Sequence, residues 1–363
     1  MTKLTLKEAE KIFPGGKKAI DAISLEVREG DFVVLVGRSG SGKSTLLRMI
    51  AGLEEFTGGE LSIDGKPVTQ TPAKERSVSL MTQSNAPNAN LTVYDNLAQG
   101  LKLRKVAPAL IDVRVKAAAE LFGLTADLQK KPKTLTAFAR RRIALGRIVA
   151  REPKVMLFDE PFSNLDGELR RTMLSELVKL HARLRGTFLY ATDNICEAMT
   201  LATHIVVMRD GKIEQQGTPL EVYETPKTRH VADLIASANL FDGAKLVHEG
   251  GTVRAEVCKL SLPLPRSIAD RIQNPDAYCT GKAVCLAVRP EDVSLGGEIP
   301  AKVERANGNS AECELNPHSE WLPDRIRITA RIEDVAVGDE IALSFDLEHV
   351  LLFDGETGES ILS

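Results

Sequence analysis

Nine consecutive residues restrict this chain more than any others: Gly37-Arg38-Ser39-Gly40-Ser41-Gly42-Lys43-Ser44-Thr45. The apolar, largely β-branched run Phe32-Val33-Val34-Leu35-Val36 comes just before them, and reads as a buried strand. Leu46-Leu47-Arg48-Met49-Ile50 comes just after, with apolar residues at helical spacing. A strand, a loop of the form G-x-x-x-x-G-K-[ST] and a helix, in that order, build a cradle for phosphate. The glycines let backbone N–H groups turn onto an anion with no Cβ in the way. The following helix adds unpaired donors and a favourable dipole. In such a cradle Lys43 reaches the outer phosphates and the Ser44 hydroxyl is placed to ligate Mg²⁺.

A length of 363 residues suggests two or three domains. The net charge of −3 gives no basis for holding nucleic acid by bulk charge. The first residues, Met1 to Glu8, carry no apolar core of signal-peptide length, and no stretch nears the roughly 18 apolar residues that cross a bilayer. A soluble chain, able to dock on a membrane protein, is the expectation. Cys196, Cys258, Cys279, Cys285 and Cys313 form no C-x-x-C pair and read as reduced thiols rather than metal ligands.

Residues 3–36 alternate as strands, with turn signals at Pro14-Gly15-Gly16 and Glu29-Gly30-Asp31. Phe13 lies at a distance from the loop that suits stacking on a base, and equally suits a core position. Short strands are expected at Glu60–Ile63 and Val78–Met81, the second leading to Gln83. Residues 92–122 read as helix broken at Ala107-Pro108, with Val113, Ala117, Leu121 and Leu124 a loose apolar stripe. Another helix runs from about Ala139 to Ala150; its Arg140-Arg141-Arg142 reads as a solvated start. Val155-Met156-Leu157-Phe158-Asp159-Glu160 is a buried-strand pattern ending in two carboxylates. Ligands sit at that end of an open α/β sheet. One carboxylate there suits Mg²⁺, the next an attacking water. A long helix at Leu169–Leu184, strands at Thr187–Ala191 and His204–Met208, and a hairpin turn at Asp210-Gly211 complete a mainly parallel α/β sheet. Beyond about residue 240, short β runs between Gly, Pro and Asp turns predict a small all-β barrel.

With these residues in view, the chain resembles the ATPase subunits of ATP-binding-cassette importers of the carbohydrate-uptake type, over nearly its whole length. Gln83 matches the family's glutamine loop, and Asp159 and Glu160 its Mg²⁺-supporting aspartate and catalytic glutamate. Ser163-Asn164-Leu165-Asp166 matches its dimer-contact loop. Gln216-Gly217-Thr218-Pro219 and Val288-Arg289-Pro290-Glu291 follow the importer subfamily. The resemblance implies a P-loop cassette at 1–236 with a helical subdomain at about 84–150, and an oligonucleotide-fold-like domain at 237–363. It implies ATP and Mg²⁺ as cofactors, with Ser44, Gln83 and Asp159 around the metal and Gly37 to Thr45, with Phe13, around the nucleotide. The implied partners are a second ATPase, two membrane permeases and a solute-binding protein, on the cytoplasmic face of a bacterial plasma membrane.

Two positions depart from the family. Its signature L-S-G-G-Q becomes Leu135-Thr136-Ala137-Phe138-Ala139, so side chains replace two glycines whose bare N–H groups meet the partner's γ-phosphate. Its switch histidine becomes Asp193, and an ionised carboxylate cannot donate a hydrogen bond to phosphate. Two like charges about 4 Å apart cost roughly 4 kcal/mol at an effective dielectric of 20. Because the two defects fall in different sites of a mixed dimer, they predict a heterodimer with a more complete ATPase, as in polyol importers with two unlike ATPase subunits. A non-hydrolysing regulatory subunit is the second reading, and a cassette protein of translation or DNA repair the third. The polar stretch Asn85, Pro87, Asn88, Ala89, Asn90, where the subfamily is aromatic-rich, fits either a membrane-subunit coupling helix with a more polar face or a surface loop that has drifted.

Overall fold

The computed structural model describes residues 2–257, 260–307, 310–315, 326–329 and 336–363. Cys258 lies outside them, as does the side chain of Cys313; Cys196, Cys279 and Cys285 are free thiols. The chain divides into two compact units, 1–219 and 220–363.

The first unit holds two sheets. Strands β1 (Thr2–Ile12), β2 (Lys18–Arg28), β4 (Gly58–Ile63) and β5 (Lys66–Pro67) form an antiparallel sheet in the order β2-β1-β4-β5. Strands β3 (Phe32–Val36), β6 (Val78–Thr82), β7 (Val155–Asp159), β8 (Thr187–Thr192), β9 (His204–Arg209) and β10 (Lys212–Gly217) form the other, in the order β10-β9-β3-β8-β7-β6. Five of the six are parallel; β9 and β10 close the edge as a hairpin. Its turn residues Asp210 and Gly211 both take positive φ, the geometry a two-residue hairpin needs.

Helix α1 (Lys43–Ala51) packs one face of the parallel sheet against the antiparallel one. Side chains alternate across a strand, so Val33, Leu35, Leu157, Leu189 and Ala191 meet Leu46, Leu47 and Ile50 there. The residues between them, Phe32, Phe158, Phe188 and Tyr190, point to the other face, where Phe162, just after β7, and His181 of helix α5 (Gly167–Leu184) join them. Five fully buried residues in each of β3 and β7 explain why neither strand alternates in polarity.

Helices α2 (Val93–Leu103), α3 (Pro108–Leu121) and α4 (Ala137–Val149) form the helical part of this unit. Within α3 the expected stripe is offset by two residues, while Leu124, past the helix end, is buried as expected. Ile111, Val115, Ala118 and Ala119 are buried, while Val113 is 63 % exposed. Spacing alone left both stripes available, and packing against α2 and α4 selects one.

In the second unit, α7 (Pro219–Glu224) and α8 (Arg229–Ala236) precede two antiparallel sheets. One has five strands: Leu260–Pro263, Thr252–Val257, Asn239–Glu249, Val284–Val288 and Leu351–Asp354, in spatial order. The other orders Ile326–Ile328, Ser310–Leu315, Val293–Asn307 and Glu340–Phe345. The short β runs expected there are strands, built into two sheets that share one apolar core. Buried Arg289 organises the start of the unit: it stacks on Tyr223 at 4.7 Å and donates to the carbonyls of Tyr223, Glu224 and His349.

Candidate functional site

The phosphate loop joins β3 to α1. At Gly37 a Cβ would sit 2.3 Å from the Met208 carbonyl, so no side chain fits. Gly42, at φ +106°, leaves α1 without a side-chain cap, and its first N–H groups are available to an anion. Lys43 is only 4 % exposed. Its Nζ donates to the carbonyls of Gly37 at 2.7 Å and Arg38 at 3.0 Å. Burial pulls its pKa down, while Glu160, Asp193 and Asp159 nearby pull it up. The ammonium is thus folded over the loop, inside reach of whatever the loop holds.

Ser44 Oγ donates to Asp159 Oδ1 at 2.6 Å, joining residues 115 apart in sequence. A hydroxyl and a carboxylate oxygen, both hard donors side by side at the cradle's edge, fit Mg²⁺. Asp159 is 6 % exposed; Arg48 Nε approaches its Oδ2 at 4.0 Å, and the buried Lys43 ammonium also lies near it. Glu160 follows at φ +46°, an uncommon conformation for a non-glycine residue. Burial first, then the Asp193 charge, raises its pKa. Asp193 itself is exposed, and the Asn194 side chain caps the helix α6 (Ile195–Leu201) that follows it.

The cleft over this loop measures about 370 Å³ and is lined by Phe13, Ser39, Gly40, Gly42 to Thr45, Glu160 and Gly211 among others. Phe13 is half-buried on its rim, with Lys11 Nζ 5.1 Å from the ring, so the core reading of Phe13 does not hold. Gln83 does not join Ser44 and Asp159: its Nε2 donates to Ser163 Oγ at 2.8 Å.

Gln83 instead borders a second cleft, about 220 Å³, with Ser84 to Pro87, Ala137, Arg140, Arg141, Ala144 and Leu165. The asparagines beside it brace their own loop. Asn85 accepts from Thr82 Oγ1, and Asn88 and Asn96 bond to each other's backbone or side chain. Of the three arginines Arg140, Arg141 and Arg142 of α4, only Arg140 is exposed. Arg142 pairs with Glu176 at 2.8 Å and lies 4.2 Å over the Phe138 ring, so the solvated reading fails for it. The Thr136 hydroxyl accepts from Ala139 N, capping α4 from within.

A further set of residues was not visible in sequence order. Arg170 of α5 donates to the carbonyls of Ser163 and Leu165 and approaches Glu197 Oε1 at 3.8 Å. Buried Glu197 accepts from Tyr190 and Thr192. Only the burial of a carboxylate in an otherwise ordinary helix start could have signalled it.

A parallel sheet carrying this loop, with an aspartate bonded to its serine and a glutamate one residue on, defines a P-loop nucleotide-binding ATPase. The ABC transporter family profile matches residues 20–163. The chain is 39 % identical to the oligosaccharides import ATP-binding protein MsmX of Bacillus subtilis, over 98 % of this chain and 99 % of that protein. It is 40 % identical to the sn-glycerol-3-phosphate import ATP-binding protein UgpC of Bordetella avium, over 99 % of each. The solved structure of cbiO1 from Clostridium perfringens, part of the transporter complex cbiONQ, superposes with a TM-score of 0.56 at 25 % identity, covering 61 % of this chain and 90 % of that one. The chain belongs to the ABC transporter family, among its ATP-binding subunits, which are transport ATPases. No helix among the described residues is long and apolar enough to cross a membrane.

Proposed function

We propose that this chain is the ATP-binding subunit of an importer for a sugar, a polyol or its phosphate, working as a heterodimer with a second, more complete ATPase. It would sit on the cytoplasmic face of the membrane against two permeases, served by a solute-binding protein. The import functions in the names of its full-length relatives support the solute class, and glycerol is the finer assignment suggested by the two-ATPase plan. ATP would lie along Gly37 to Thr45 with its base at Phe13. Mg²⁺ would be held by Ser44 and Asp159, where it supplies charge neutralisation to the phosphates. Glu160 is the group that polarises water. Gln83 reaches the metal only if it leaves Ser163.

One observation carries the heterodimer: the start of α4 presents side chains where the family has glycines. Thr136 Oγ1 caps the helix by accepting from Ala139 N and keeps its proton to donate, but Phe138 stands beneath Arg142 where bare backbone would meet a partner's phosphate. This end makes a poor lid, whereas the chain's own cradle is intact. The test is to purify the full-length chain and measure MgATP binding and turnover. Tight binding with slow, non-cooperative hydrolysis is expected; brisk cooperative hydrolysis by the chain alone refutes the pairing.

The regulatory reading, in which the chain closes on ATP without hydrolysing it, is favoured by the Asp193 charge beside Glu160. Transport unchanged by Glu160→Gln in the assembled importer would decide for it.

A further inference from the structure

We propose that Ser163 is a positioning residue, through whose hydroxyl the loop carrying Gln83 sets the backbone of Glu160. The inference rests on the assignment of Glu160 above and deepens it. Glu160 holds φ +46°, a conformation that costs on the order of 1–3 kcal/mol and must be held from outside. Its N–H donates to the Ala191 carbonyl at 3.1 Å, which fixes the peptide on one side of its Cα. The other side, its carbonyl, accepts from Ser163 Oγ at 3.0 Å and from Ser163 N at a weaker 3.4 Å.

A serine hydroxyl has one proton. Here it is spent on the Glu160 carbonyl, so the lone pairs of Ser163 Oγ are left to accept Gln83 Nε2 at 2.8 Å. The chain of donors therefore runs one way, from Gln83 to Ser163 to Glu160. Successive hydrogen bonds of this kind polarise and strengthen one another. Two contacts from Arg170 hold the serine in place, one to its own carbonyl at 2.9 Å and one to that of Leu165 at 3.1 Å. Arg170 in turn leans on buried Glu197.

Gln83 is exposed and borders the 220 Å³ cleft, so a segment entering that cleft competes for its amide. Withdrawing the amide weakens the donor that holds Glu160. A serine that merely closed the turn after Glu160 would show no dependence on Gln83.

A double-mutant cycle on the full-length chain, read as kcat and KM for MgATP, tests this. Ser163→Ala should lower kcat about five- to tenfold, the loss of one hydrogen bond, with KM within about twofold. Gln83→Ala should lower kcat too, and the double variant should fall clearly short of the product of the two effects. Ser163→Thr, which keeps the hydroxyl, should retain most of the turnover. Independent, multiplying effects of Gln83→Ala and Ser163→Ala overturn the inference, as does a change confined to KM. Glu160→Gln serves as the control. If it abolishes hydrolysis while Ser163→Ala does nothing, the Ser163 role is wrong and Glu160 stands. If Glu160→Gln is silent, the Glu160 assignment fails first and takes the Ser163 role with it.

Discussion

Restoring the missing features should wake the isolated chain. Ala137→Gly and Phe138→Gly remove the side chains at the start of α4, and Asp193→His replaces the carboxylate beside Glu160. The cost is local. Losing the Arg142 stack over Phe138 forfeits about 0.5–1 kcal/mol at a half-exposed site. Two glycines in a first helical turn forfeit up to about 1 kcal/mol each. The sum is about 2–3 kcal/mol, and Ile143, Leu145 and Ile148 remain buried to hold α4 in place. The gain lies in the reaction. One preorganised donor facing developing charge is worth about 10²–10³ in rate. Removing a like charge beside phosphate adds to it, although Mg²⁺ and water screen much of that term. The triple variant should therefore hydrolyse MgATP at least tenfold faster than the natural chain, measured by phosphate release across a range of protein concentration. The rate should rise with concentration, because each copy then lids the other. A triple variant that melts within a few degrees of the natural chain, binds MgATP, and turns over no faster would refute the reasoning.

Lys43→Met should leave the fold intact and reduce MgATP affinity at least about a hundredfold by calorimetry, since the buried ammonium over the loop is removed and its carbonyl partners remain. Arg289→Lys should destabilise the second unit by about 2–3 kcal/mol in denaturant unfolding: a buried planar fork stacked on Tyr223 and shared among three carbonyls has no lysine equivalent. His181, packed edge-on to Phe32 and Phe188 with Nε2 2.9 Å from the Gly30 carbonyl, has its pKa lowered, chiefly by burial. The unfolded chain therefore binds the extra proton first, so stability from this group is full above about pH 6.5 and is lost as pH falls toward the lower folded value. Melting temperatures from pH 8 to 5 should show that fall, and His181→Gln should flatten it.

The glycine-rich loop was legible because it is local. A strand, a turn that tolerates only glycine at Gly37 and Gly42, and a helix start are encoded by neighbours in the chain. The same holds for the apolar strand ending in Asp159 and Glu160, and for the Asp210-Gly211 hairpin. Phe13 is ambiguous in the sequence because alternation along a strand says which face a residue takes, and nothing about whether that face ends at a cleft. Val113 misled for a related reason: α3 carries two candidate stripes, and only its neighbours choose between them.

What the amino-acid order determined was the chemistry available: a phosphate cradle, two strand-end carboxylates, an α4 start that carries Ala137 and Phe138, and an aspartate at 193. Tertiary structure alone decided who meets whom. It bonded Ser44 to Asp159 across 115 residues, turned Gln83 away to Ser163, and set Arg170 against Glu197. Those pairings depend on how helices pack over a twisted sheet, a property of many distant apolar contacts at once, which no single stretch of sequence encodes.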